Sequence, residues 1–96
     1  MSRIVAVTTA YNQYKDLDNW VTHYNSYKSE LTYHIIVDNN SDRSYKDDYM
    51  SFFRDSIIIE LNEGKGVTGA YNAAIEYVNK NLDVDCIIFV MQDMFI

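Results

Sequence analysis

A three-layer α/β domain on a mostly parallel sheet of about four strands is the fold this sequence predicts. Three observations predict it. Four short runs rich in Ile and Val are apolar on both faces, which is the pattern of strands buried in a parallel sheet. Segments with helical spacing lie between them, so strand and helix alternate along the chain. Polar residues gather after each run rather than before it, where the ligand-binding edge of such a sheet lies.

The first strand is the run Ile4 to Val7. A helix is expected after Asn12, a plausible N-cap, because Tyr14, Leu17, Trp20, Val21, Tyr24 and Leu31 recur at steps of three and four. The second strand is Ile35 to Val37. A short helix follows, with Ser44 and Asp47 spaced as a capping box and Tyr45, Tyr49, Phe52 and Phe53 as its apolar side. The third strand is Ile57 to Leu61. The third helix runs from about Val67 to Lys80, with Ala70, Tyr71, Ala74, Ile75 and Val78 forming its stripe. The fourth strand is Ile87 to Met91. Right-handed crossovers join such units.

The chain of 96 residues suffices for one domain, 1–96, with one core. Hydrophobic residues make up 48% and charged residues 23%, and there is no Pro, a balance that argues against disorder. The formal net charge of −6 and the lack of a basic stripe exclude nucleic acid as the expected partner. No signal peptide and no apolar stretch near 20 residues is present, so no transmembrane segment is expected and the default location is cytoplasmic. The lone Cys86 sits in an apolar run and reads as buried packing. His23 and His34 lack paired metal spacing and read as a helix-surface and a strand-edge residue. Of the nine Tyr, most read as core-edge packing and only Tyr11 as a site candidate.

The strand ends carry the chemistry. They are Thr8-Thr9-Ala10-Tyr11-Asn12, Asp38-Asn39-Asn40-Ser41-Asp42, Asn62-Glu63-Gly64-Lys65-Gly66 and Gln92-Asp93. Turn and cap formation explains part of this, yet polar groups converging on one edge of a buried sheet favour a site there. Gly64 to Gly69 matches G-x-G-x-x-G, but on the third strand instead of the first, and Asp83 and Asp85 precede the strand whose end should carry the ribose-binding acid. Such a turn either binds phosphate through free N–H groups or is simply a tight strand-to-helix turn. Asp93 closes an apolar strand, where a carboxylate is costly unless paired, hydrated or metal-bound; an N-cap role remains open. Asp38 could equally be an Asx-turn residue. No Ser-His-Asp arrangement is readable.

Together these segments resemble family 2 glycosyltransferases of the A fold, bacterial rhamnosyl- and galactosyltransferase types included. Ile4 to Asn12 resembles the opening strand with its Thr-x-Tyr-Asn end. Ile35-Ile36-Val37-Asp38-Asn39-Asn40-Ser41-Asp42 resembles the family's Val-Asp-Asn-x-Ser stretch, the most specific piece. Gly66 to Ala74 resembles the helix start with its Asn, and Phe89-Val90-Met91-Gln92-Asp93 the strand delivering the Asp-x-Asp metal motif.

The resemblance implies a Rossmann-like nucleotide-diphospho-sugar transferase fold and a role for each matched position. Thr9 and Tyr11 would contact the base, Asp38 would hydrogen-bond it, and Asn40 would shape that wall. Gly66 and Asn72 would lie at the nucleotide-sugar site. Asp93 would hold Mg²⁺ or Mn²⁺ on the diphosphate, neutralising the leaving group. The sequence departs from the pattern at Met91, where the first acid of Asp-x-Asp is expected, and at Gly64, where the family has Asn.

The expected activity is transfer of a sugar from a nucleoside diphosphate-sugar to a glycan or lipid-linked acceptor in polysaccharide assembly. The catalytic base and the acceptor half are expected beyond residue 96, so the chain reads as the donor-binding part of a longer enzyme, inactive alone, with membrane association left to the missing part. An exposed edge at the fourth strand would then favour dimerisation. The alternatives are a non-catalytic nucleotide-binding module, suggested by Met91, and a dinucleotide-binding oxidoreductase fragment, suggested by the glycines. A flavodoxin-like regulatory domain lacks the acidic cluster expected after the first strand.

Overall fold

The computed structural model describes residues 3–10, 17–39, 46–63 and 66–90. Within them strands and helices alternate as β1 (Ile4–Ala10), α1 (Leu17–Tyr27), β2 (Tyr33–Asp38), α2 (Lys46–Phe52), β3 (Ile57–Glu60), α3 (Gly66–Asn81) and β4 (Cys86–Phe89). The expected caps Asn12 and Ser44 lie outside the described residues. Asp47 and Asp48 occupy the first turn of α2, where negative charge suits the helix dipole. With no glycine to cap it, α1 runs out through a 3₁₀ turn, Lys28–Glu30, and Leu31 then adopts an extended conformation that leads towards β2.

The sheet is wholly parallel, in the order β3-β2-β1-β4. The chain steps outward from β1 to β2 to β3, and α3 then carries it back past β1 to β4. Right-handed crossovers therefore put α1 and α2 on one face and α3 on the other. The two cores confirm this. Trp20, Tyr24, Tyr49 and Phe53 pack with Ala10 and Ile36 on the first face. Ala70, Ala74 and Val78 pack with Val5, Val7, Ile35 and Val37 on the second.

The faces divide their volume differently. On the α3 side the strands bring β-branched residues and the helix brings alanine, so the helix lies close to the sheet. On the α1–α2 side alternation presents Ala6, Thr8 and Ala10, and four aromatic rings fill the space from the helices. Trp20 tilts against Phe53 at 4.6 Å between ring centroids and makes a T-shaped contact with Tyr49 at 5.9 Å.

Three expectations are corrected. The strand runs looked equally buried, but only β1 and β2 are central. Strand β3 is half-buried, and β4 forms an open edge with Ile88 39% and Phe89 40% exposed. Cys86, expected in the core, is exposed because it begins this edge strand. His34, expected at a strand edge, is buried in β2 with its ring stacked on Tyr24 at 4.4 Å.

Candidate functional site

The two ends of the sheet use their polar groups differently. At the amino edge they join strands to one another. Thr32 N–H donates to the Ile4 carbonyl at 2.7 Å, while Ile4 N–H donates to Thr32 Oγ1 at 3.1 Å. Arg3 N–H donates to Asp85 Oδ2 at 2.9 Å, and Asp85 N–H returns to the Arg3 carbonyl at 2.8 Å. A cleft of about 410 Å³ at this end, lined by Leu82, Val84 and Cys86 among others, lies away from the predicted site.

The carboxyl edge holds the switch in strand order. From β1 the chain crosses to β2 on one side, whereas β4 joins β1 from the other, so the crevice where an open parallel sheet binds ligands lies beyond the ends of β1 and β4. Val90 N–H donates to the Val7 carbonyl at 2.9 Å and carries the β4 pairing one residue past the strand. The carboxyl half of β1 is thus brought beside Val90. Gly66 opens α3 after β3, an outer strand of the sheet, whereas a dinucleotide-binding glycine turn is expected after the first strand.

Asp38 closes β2 directly beside Ala10 of β1 and Glu60 of β3. Its backbone ties the edge together: the Asp38 carbonyl accepts Leu61 N–H at 3.0 Å, and Asn39 N–H donates to the Ala10 carbonyl at 2.8 Å. Its side chain is 3% exposed and takes a hydrogen bond from Tyr49 Oη at 2.8 Å. A buried carboxyl group needs such a partner, since desolvation without one is costly. Tyr49 is the residue that sequence reasoning missed. The sequence places it on the apolar side of its helix, and its hydroxyl, which Tyr45 shares, does not single it out.

The other predicted residues are placed as follows. Thr9 is half-buried and pairs with Val37. Alternation puts it on the α3 face, opposite to Asp38, so the two can meet a common ligand only beyond the strand ends. Asn72 is exposed on α3, turned outward from the Ala70–Ala74–Val78 stripe. Tyr11, Asn40, Met91 and Asp93 lie outside the described residues. Among the described residues no three His, Cys, Asp or Glu side chains gather to hold a metal ion. Nor is any described helix long and apolar enough to cross a membrane.

Gly66 opens α3 with φ of +69°. A Cβ there would meet nothing within 4 Å, so glycine is required by the backbone conformation and not by close packing. Gly66→Ala is expected to cost about 1 kcal/mol, the left-handed penalty less the entropy recovered from the unfolded chain. Urea denaturation measures this, and a neutral result would mean the turn tolerates another conformation.

A family model described as Glycosyl transferase family 2 matches residues 5–95. The chain belongs to this family. No curated protein matches the sequence. Family 2 membership ties the domain to glycosyl transfer in general, and the all-parallel sheet agrees with a Rossmann-like A fold. Members of family 2 generally use divalent cations.

Proposed function

We propose that this domain binds a nucleoside diphosphate-sugar at the carboxyl edge of its sheet, as the donor-binding part of an enzyme that passes the sugar to a glycan or lipid-linked acceptor. The observation that carries the reading is Asp38: a buried, oriented carboxyl group ending the strand next to the switch point, within the stretch most like the family's. A base that reaches it bonds to it with water largely excluded, where a hydrogen bond discriminates strongly. In this reading Thr9 and Tyr11 flank the base, Asn40 shapes its wall, and Gly66 and Asn72 lie towards the sugar diphosphate.

A divalent cation would be held by Asp93, an oxygen donor of the kind Mg²⁺ and Mn²⁺ prefer. Diphosphate oxygens and water would complete its donor set. When bound, the ion neutralises charge on the diphosphate leaving group.

Calorimetric titration with uridine and thymidine diphosphates, with and without Mn²⁺, tests the reading. Asp38→Asn, which keeps an acceptor for Tyr49, is expected to weaken binding roughly tenfold or more, in line with the 1.5–3 kcal/mol of a charge-assisted hydrogen bond. Asp93→Ala should remove the dependence on Mn²⁺. A folded chain that binds neither nucleotide would overturn the proposal. Met91 favours a second reading, a nucleotide-binding module without catalysis; Met91→Asp should then leave metal affinity unchanged.

A further inference from the structure

We infer that Tyr49 is a positioning residue for nucleotide recognition: its hydroxyl sets the orientation in which Asp38 meets the base. This rests on the donor-site reading above. Tyr49 lies on α2 and its side chain is fully buried, with its ring T-shaped to Trp20. The ring is therefore held by the aromatic core, and its hydroxyl reaches the end of β2 and donates to Asp38 Oδ1 at 2.8 Å. An Asp side chain chooses among staggered χ1 rotamers with a broad χ2, and a hydrogen bond to one oxygen selects among them. The phenol O–H of this packed ring favours the rotamer that holds Oδ1 at 2.8 Å from Tyr49 Oη. The packing of α2 against the sheet is thereby coupled to the geometry of the recognition group.

A purely structural hydrogen bond would leave ligand discrimination untouched, and this difference makes the inference testable. Tyr49→Phe keeps the ring and removes the donor. Its affinity for uridine diphosphate with Mn²⁺ is expected to fall five- to twentyfold, while its affinity for inorganic pyrophosphate with Mn²⁺, which has no base, stays within twofold of the wild type. Placed on Asp38→Asn, the same change should cause little further loss, since both act through one contact.

If Tyr49→Phe does not fold, the wild-type chain supplies a measurement. The buried Tyr49 hydroxyl proton should shift in its NMR spectrum on adding uridine diphosphate and not on adding pyrophosphate. An equal loss for both ligands, an additive loss in the double variant or an unmoved hydroxyl resonance would overturn the inference. Loss of uridine diphosphate binding in Asp38→Asn but not in Tyr49→Phe would overturn the positioning role and leave the donor site standing. Pyrophosphate binding without nucleotide binding in the wild type would overturn both.

Discussion

Trp20→Ala is expected to lower stability by about 3–5 kcal/mol, the usual cost of truncating a large core aromatic residue. The ring is 3% exposed and lies where α1 meets α2, touching Phe53 and Tyr49. Beneath it β1 presents only Ala6, Thr8 and Ala10, too small to refill the space, although β2 adds Ile36. A domain of this size has about 5–15 kcal/mol in all, so roughly a fifth or more of its stability is at stake. Urea denaturation followed by circular dichroism checks the value. A loss below about 1 kcal/mol would show that α1 and α2 can close over the gap, and the aromatic layer would then not be the close-packed core described above.

The second large effect is acid sensitivity set by His34. Burial holds this ring neutral and lowers its pKa from 6.5 to about 4. Tyr24 stacks on it, Phe53 lies 5.6 Å away, Nδ1 is 2.7 Å from Ser56 Oγ, and Nε2 is 3.5 Å from Thr8 Oγ1. Both contacts are hydroxyls, which can serve either tautomer but carry no charge to offset a protonated ring.

Above pH 6.5 neither the folded nor the unfolded state binds this proton, and the full stability is present. As pH falls below 6.5 the unfolded chain takes up the proton first, so stability declines until about pH 4, where the folded state also binds it. The gap between 6.5 and about 4, at about 1.4 kcal/mol per tenfold change in proton affinity, comes to about 3 kcal/mol. Unfolding free energies measured between pH 7.5 and 4 should show this decline, and His34→Gln should lack its share of it. The same slope in both proteins would refute the assignment. At the other extreme, burial raises the pKa of Tyr24 and Tyr27, so their contribution is lost only as pH rises above 10.

The stabilising core and the proposed recognition group share one face of the sheet. Trp20, His34, Tyr49 and Asp38 all belong to the α1–α2 side, and the aromatic layer that stabilises the fold also holds the hydroxyl that orients Asp38. Changes to the packing of α2 should therefore reach the proposed nucleotide site sooner than changes to α3.

The sequence by itself determined the elements and their alternation. Ile and Val runs separated by three- and four-residue periods are local properties, and each was readable within its own segment. The parallel arrangement followed, because alternating units of this kind join by right-handed crossovers. The stretch from Ile35 to Asp42 and its neighbours were enough to suggest the family, and Asp38 stood out as a carboxyl group ending an apolar strand. Only the tertiary structure decided which strands are central. The run containing Cys86 looks as apolar as the one containing Val37, yet β4 is the exposed edge and β2 is interior, because strand order is set by contacts distant in sequence. For the same reason His34 is enclosed by Tyr24 and Phe53, which only the docking of α1 and α2 brings over it. The bond between Tyr49 and Asp38 depends equally on that docking: neither residue's local pattern names the other, and a buried carboxyl group takes whatever donor the packed helix presents.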